Sequence, residues 1–574
     1  MSDYLSNYNK WLNSDKLTED EKKELLSIAS DDKEIRERFT AGLEFGTAGL
    51  RGTMKTGMNA MNVHTVALAT QGLSNYIIKV GRKDESVVIG FDSRNNSRLF
   101  AETAARVLAA NGIHAYLFDD IRPTPEISFA LRELSCVAGI NVTASHNPKE
   151  YNGYKAYWDD GAQLSLESAD AVSAEINRTD IFADVKFISL DEAMRSGLVT
   201  LVGDEIDEKY LAVVQAQSVN PDIVRAVADE LKIVYSPLHG CGYKLVPEIL
   251  RRQGFKHIYM VPEQAKPDGN FPTVKKPNPE YRETFELGIA LANEIGSDLI
   301  FATDPDADRI GAVARNASGE FVSITGNQMG ALLLDYILTA YEDTNTMPAE
   351  PYAIKTIVST ELVGKICAAH NVKLYNVLTG FKFIGEVIKN HEKMGHGSFV
   401  FGFEESYGYL KGTYARDKDA VVASMLVGEM AAYYKSKGMT LIDALEDLWN
   451  RMGFSYELTE ELYIKGLDGA ARIRAIMEAF RSNAPSELGG VTVVRVGDYR
   501  EGYFTDTATG ERTPTGLPQS NVMYFELANG DIVIARPSGT EPKIKFYYLI
   551  TSVSKDDVAP LVEAYKESVN GYNS

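Results

Sequence analysis

Cysteine is scarce in this sequence: three in 574 residues, Cys136, Cys241 and Cys367. They are odd in number and far apart, which argues against a disulfide framework or a CxxC-type zinc site and suits reduced thiols packed as small apolar residues. No uninterrupted apolar run is long enough to span a bilayer. The opening segment MSDYLSNYNKWLNSDKLTEDEKKEL is polar and helix-like and lacks the apolar region of a signal peptide. A soluble, cytoplasmic protein is expected. Positive charge is also short, with 59 Lys and Arg against 80 Asp and Glu, a net charge of −21. Such a chain repels nucleic acid and anionic membranes, and neither partner is expected. What remains is an ordinary globular mixture, 44% apolar and 24% charged. Its length is enough for roughly three to five domains.

From about residue 85 a strand–helix rhythm sets in. SVVIGFD (86–92) reads as a strand, RLFAETAARVLAANG as a helix, HAYLFD as a strand and CVAGINVTAS (136–145) as another. The rhythm restarts at LKIVYSP (231–237), ending in the strand DLIFATD (298–304), and again at YAIKTIVS, ending in SFVFGFEES (398–406). Such alternation calls for βαβ units with parallel or mixed sheets. After residue 453 the pattern changes to strands such as VTVVRVGDYREGYF with a closing helix VAPLVEAYKESVNGY, as in an α+β domain with an antiparallel sheet. The expected division is a helical extension over 1–45, α/β domains over 46–205, 206–322 and 323–453, and an α+β domain over 454–574.

Four polar clusters follow these strands, where ligand sites of open α/β sheets lie. In TASHNPKEYNGYK, Ser145 stands among Thr143, His146 and Asn147, with Pro148 unable to continue a strand. It could be a nucleophile or a turn residue; the frame is not the G-x-S-x-G of a hydrolase elbow. In TDPDADRIG, Asp304, Asp306 and Asp308 are spaced so that, on an extended segment, their carboxylates point to one side. Three adjacent carboxylates repel unless a cation holds them. The EF-hand frame fails, because Arg309 and Arg315 stand where its Gly and Glu belong. In GFEESYGY, Glu404 and Ser406 are expected on one face of a strand end, where they could hydrogen-bond adjacent sugar hydroxyls; ordinary strand ends also carry such residues. In ARPSGTEPK, Arg536, Ser538, Gly539, Thr540 and Lys543 make a compact loop suited to a phosphate dianion, or a simple turn.

Taken in order, TASHNP, DPDADR, GFEES and RPSGTEP resemble the phosphoserine, metal, sugar and phosphate loops of the α-D-phosphohexomutase superfamily. FGTAGLRG at 45–52 resembles the family's N-terminal segment, which brings Arg51 to the active site. The chain is most similar to the branch of long bacterial phosphoglucomutases and phosphopentomutase-like enzymes. The resemblance implies four domains around a central cleft, three of mixed α/β topology and a C-terminal one of TATA-box-binding-protein-like fold. It implies that Ser145 carries a transferable phosphoryl group and that Asp304, Asp306 and Asp308, with a phosphoserine oxygen, bind Mg²⁺. Lys155, Arg51 and Arg309 match positions that steady the phosphoserine or serve nearby. Lys382, with Thr379 and Gly380 in TGFKFIG, matches a ligand-contacting segment, and Lys418 in RDKDA resembles an acid–base lysine. Other members carry a histidine just after the sugar-loop serine, where this chain has Tyr407 and Gly408.

The Glu-Glu-Ser of the sugar loop is glucose-type. The implied reaction interconverts glucose 1-phosphate and glucose 6-phosphate through glucose 1,6-bisphosphate, with Arg51, Lys155, Arg309, Lys382, Lys418, Arg536 and Lys543 converging as a positive pocket in an acidic chain. A phosphopentomutase or phosphomannomutase of the same mechanism, a phosphatase, and a non-catalytic sugar-phosphate sensor are the alternatives.

Overall fold

The computed structural model describes residues 4–47, 49–464, 469–538 and 543–573. They form two compact units. The first comprises residues 1–324, 384–399 and 407–441, and the second residues 325–383, 400–406 and 442–574.

The first unit opens with three helices, Tyr4–Leu12, Glu19–Ser27 and Asp32–Phe39. Thr18 and Glu21 close a reciprocal capping box on the second, and Tyr8, Trp11, Leu25, Ile35 and Phe39 make a small core. A six-stranded mixed sheet follows, in the order Leu50–Thr53, Tyr151–Trp158, Ala138–Val142, Val87–Phe91, Ala115–Phe118, Val199–Val202. Its last four strands run parallel. The first two pair antiparallel with each other, and Tyr151–Trp158 is also antiparallel to Ala138–Val142. The central strands are apolar and buried on both faces, as helix-covered parallel strands must be. A five-stranded sheet runs Phe321–Ile324, Ile310–Arg315, Leu299–Thr303, Lys232–Ser236, His257–Met260. Helix Ala420–Ser436 belongs to this unit and is buried from Ala420 to Tyr434. That accounts for its lack of a polar face: it packs against helices Gly242–Gln253 and Pro221–Val227.

In the second unit, strands Pro351–Thr356 and Lys373–Val377 pair in parallel. The C-terminal sheet is antiparallel, in the order Tyr456–Tyr463, Lys543–Ile550, Ile532–Pro537, Met523–Leu527, Val491–Asp498, Tyr503–Asp506, Arg512–Pro514. One of its faces is covered by helices Gly469–Ser482 and Val558–Asn570, with Met477, Phe480, Phe546 and Tyr565 in the core. On the other, Ile534 and Tyr547 pack with Ile357, Val358 and Leu378. The architecture is therefore three α/β sheet regions followed by a β-rich α+β region. Among the described residues no helix is long and apolar enough to cross a membrane.

Candidate active site

Ser145 lies three residues beyond the buried strand Ala138–Val142, in the left-handed region at φ +50°, a conformation that side chains with a Cβ seldom adopt. Its N–H donates to Thr143 Oγ1 at 2.8 Å. Its hydroxyl donates to Asp304 Oδ2 at 2.8 Å and stands 3.2 Å from His146 Nδ1. Burial, with the charges of Arg309 and Arg51, pushes His146 far below the usual histidine range, so the ring beside the serine is neutral.

The aspartates converge, but not along an extended segment. Asp304 follows the strand Leu299–Thr303, and the chain then curls. The Ala307 N–H donates to the Asp304 carbonyl at 2.9 Å, and Ala307 sits at φ +50°. The N–H groups of Asp308 and Arg309 donate to Asp304 Oδ1 at 3.1 and 3.0 Å. A tight turn, not strand alternation, brings three carboxylate oxygens within 4.8 Å of one another. Gly240 is needed beneath this turn, since a Cβ there would lie 2.3 Å from the Cα of Pro305.

All three aspartates are buried. Lys155 Nζ lies 2.7 Å from Asp306 Oδ2 and 3.0 Å from Asp308 Oδ2, and Thr124 Oγ1 donates to Asp306 Oδ2 at 2.7 Å. Burial, reinforced by Asp306 and Asp308, pushes the Asp304 carboxyl well up. Burial acts the same way on the other two, but Lys155 holds Asp306 below the usual carboxylate range, and Lys155, Lys418 and Arg309 do the same for Asp308. Burial alone would lower Lys155, yet the charges of Asp306 and Asp308 raise it, so it is a fixed cation. Among the described residues, Oδ1 of Asp306 and Oδ1 of Asp308 are buried without a hydrogen-bond partner. Orphaned anionic oxygens of this kind are costly unless a cation meets them, and an all-carboxylate donor set suits a hard divalent ion. The site therefore fits a metal.

Lys155 and Arg51 are delivered by the antiparallel strand pair, which the strand–helix rhythm does not reveal. Lys155 stands opposite Asn141, and Arg51 opposite Gly153. A Cβ at Gly153 would lie 2.5 Å from the Thr143 carbonyl oxygen and 2.9 Å from that of Leu50, so glycine permits the close approach of all three chain segments. Arg51 Nη1 donates to Asn147 Oδ1 at 3.3 Å. Arg309 Nη1 donates to Glu280 Oε1 at 3.1 Å while its Nε stays 3.8 Å from Asp308 Oδ1. Lys418 Nζ is 3.3 Å from Asp308 Oδ2 and 3.0 Å from Asp417 Oδ1. Asp417 in turn accepts from Tyr157 at 3.1 Å and Gln163 at 3.2 Å. Thr124, Asp417 and the Asp92–Arg94 pair behind Thr143 are additions to the expected set.

In the second unit, Glu404 ends its strand and its Oε1 accepts the Gly380 N–H at 2.8 Å, with Gly380 at φ +124°. Glu405 and Ser406 lie in the following turn, so Glu404 and Ser406 do not share a strand face. The two-residue period suits a strand, but the strand stops at Glu404. Among the described residues Thr379 Oγ1 is buried without a hydrogen-bond partner. Lys382 Nζ lies 4.9 Å from the Phe383 ring centroid. Arg536, at the end of Ile532–Pro537, donates to the Tyr547 hydroxyl at 3.5 Å. Lys543 is engaged by Glu461, at 3.2 Å from each carboxylate oxygen, and by the Tyr463 hydroxyl at 3.0 Å. Among the described residues Lys543 thus has a carboxylate partner and Arg536 has none. Ser538 is half-buried, and Gly539 and Thr540 lie outside the described residues.

Burial and the neighbouring Glu404 push Glu405 up to about 7. Between the ordinary glutamate value and about 7 the folded chain keeps a proton that the unfolded chain releases, so stability falls as pH rises through that window. Denaturant unfolding across the window is expected to show this decline in the native chain and a flatter one in Glu405→Gln. An unchanged slope would reject the assignment.

Comparison with known proteins agrees with this arrangement. Models of the α/β/α domains I, II and III of phosphoglucomutase/phosphomannomutase match residues 42–181, 208–319 and 325–452. A phosphoglucomutase of Staphylococcus epidermidis is 38% identical over 529 residues, covering 92% of this chain and 94% of its own. One of Staphylococcus aureus is 38% identical over 536 residues, covering 93% and 94%. Among solved structures, the Paramecium phosphoglucomutase pp63/parafusin aligns with a TM-score of 0.67 at 18% identity, covering 93% of this chain and 95% of its own. A phosphoglucomutase/phosphomannomutase family protein of Burkholderia thailandensis aligns at 0.64 and 18%, covering 92% and 97%. At that identity the likeness is one of fold.

Proposed function

The chain belongs to the phosphoglucomutase/phosphomannomutase family of the α-D-phosphohexomutase superfamily, and from that premise we propose that it interconverts glucose 1-phosphate and glucose 6-phosphate. The observation that carries the reading is the Ser145 hydroxyl 2.8 Å from Asp304, beside two orphaned carboxylate oxygens. Phosphoserine 145 gives its phosphoryl group to O6 of glucose 1-phosphate: the P–Oγ bond breaks as the P–O6 bond forms. Glucose 1,6-bisphosphate turns end for end and returns its 1-phosphoryl group to Ser145. Mg²⁺, held by Asp304, Asp306, Asp308 and a phosphoserine oxygen, would supply charge withdrawal from the phosphoryl oxygens. Lys155 fixes Asp306 and Asp308 in place and balances their charge. Arg51 and Arg309 add positive charge near the phosphoryl group. Lys418, between Asp308 and Asp417, is assigned the acid–base role: as the amine it takes the proton of the attacking O6 hydroxyl, and as the resulting ammonium it returns one to O1 when the 1-phosphoryl group passes to Ser145.

Thr379, Gly380, Lys382, Glu404 and Ser406 are assigned to the sugar, and Arg536, Ser538, Gly539, Thr540 and Lys543 to the non-reacting phosphate. The planar guanidinium of Arg536 suits a phosphate better than an ammonium does. Domain boundaries near 205, 322 and 453 and a cytoplasmic location belong to the same proposal. The test is a coupled assay of glucose, mannose, N-acetylglucosamine, glucosamine and ribose 1-phosphates with catalytic bisphosphate. Glucose 1-phosphate should be the best substrate. Preference for ribose or mannose phosphate would move the chain to the corresponding mutase, and stoichiometric phosphate release would make it a phosphatase.

A further inference from the structure

Behind Ser145 lies a pair of charges that the reaction does not use. Asp92 and Arg94 follow the end of Val87–Phe91, and both side chains have 0% exposure. Arg94 Nε stands 3.3 Å from Asp92 Oδ2. The two terminal nitrogens of Arg94 serve four carbonyls of one loop. Nη1 donates to Pro148 at 2.9 Å and Tyr151 at 3.1 Å, and Nη2 donates to Ser145 and Asn147, both at 2.5 Å. Asp92 is equally committed: Oδ1 accepts from the Arg94 N–H and Ser97 Oγ, and Oδ2 from Thr143 Oγ1 at 2.7 Å. Thr143 Oγ1 then accepts the N–H of Ser145.

We infer that Asp92, Arg94 and Thr143 are positioning residues for phosphoryl transfer, acting through the backbone of Ser145; the inference rests on the proposed phosphoserine mechanism. The physical case has three parts. First, a fully buried ion pair is a poor stabilising device, since apolar packing of the same volume commonly does as well, but its directed hydrogen bonds can specify one loop geometry. Second, one planar guanidinium draws four carbonyls inward, which no single ammonium could match. Third, Ser145 is held at φ +50°, and a left-handed residue stays there only where its surroundings over-determine it. The Ser145 N–H is fixed by Thr143 and its C=O by Arg94, so both sides of that residue are tied to the same pair. The hydroxyl is thereby aimed at Asp304. Displacement of a reacting atom by about 1 Å can cost on the order of a hundredfold in rate.

The decisive variants are at Thr143, where valine is nearly isosteric and serine keeps the hydroxyl. The readouts are the rate at which glucose 1,6-bisphosphate phosphorylates Ser145, followed by intact mass, together with kcat, KM and melting temperature. Thr143→Val should slow phosphorylation and kcat by roughly ten- to a hundredfold with KM within about threefold. Thr143→Ser should restore most of that loss. Arg94→Lys should be at least as slow as Thr143→Val; if it does not fold, the Thr143 pair decides. Phosphorylation of Thr143→Val at the native rate, or a serine variant as slow as the valine one, overturns the inference while leaving the mutase reading intact. A native chain that accepts no phosphoryl group on Ser145 overturns both.

Discussion

Ser145→Ala is expected to lower turnover by about a thousandfold or more while leaving folding and sugar-phosphate binding in place. No neighbour can take over. Thr143 Oγ1 is committed to Asp92 and to the Ser145 N–H, and Thr124 Oγ1 to Asp306 and Asn141. His146 Nδ1 stands 3.2 Å from the serine hydroxyl, so a phosphoryl group on that nitrogen would be displaced from the position that the serine oxygen holds 2.8 Å from Asp304. Removing one oxygen also removes the hydrogen bond to Asp304, so the variant should keep its melting temperature within a few degrees and still bind glucose 1-phosphate by calorimetry. Activity near native in this variant would end the phosphoserine account.

Chelation should have an effect of similar size. Depletion of divalent metal with EDTA is expected to reduce activity by roughly 10²- to 10⁴-fold, the rate equivalent of several kcal/mol, with Mg²⁺ restoring it. The reasoning is electrostatic: three buried carboxylates lie together with the side chains of Lys155 and Lys418 against them, and two of their oxygens have no donor among the described residues. Asp306→Asn removes one charge but keeps an oxygen, so it should weaken metal binding and lower kcat together. A second readout is thermal: Mg²⁺ that binds only the folded chain raises the melting temperature in a concentration-dependent way, and Asp306→Asn should shift that response to higher Mg²⁺. Full activity after exhaustive chelation, with no thermal response to Mg²⁺, would contradict the assignment.

What could be read from the chain and what could not follow from range. Ser145 and Asp304 are legible because each follows closely on an apolar strand that its own neighbours define. The spacing of Asp304, Asp306 and Asp308 predicts an extended segment, since spacing alone does not report Ala307 at a positive φ or the N–H groups of Asp308 and Arg309 folding back onto Asp304. Ser406 was misplaced for a related reason: the strand ends at Glu404, and Tyr407 at φ +67° continues the turn. Lys155 and Arg51 are on antiparallel partners about a hundred residues apart in sequence, a pairing no local window contains. Arg94 carries a local signal. It stands two residues after Asp92 at the C-terminal end of a buried strand, the same edge of the sheet as Ser145. Asp417 and Thr124 gave none, because their roles come from side chains that arrive from other segments.

The central claim is that one phosphoryl group passes through Ser145 and is shared with the sugar. The most direct measurement is a single turnover with enzyme labelled at phosphoserine 145 and stoichiometric glucose 6-phosphate. Label should leave the protein for glucose 1,6-bisphosphate and then return to Ser145 or remain on the released monophosphate, with little free phosphate. Label that stays on the protein during product formation, or that departs as inorganic phosphate, would contradict the account.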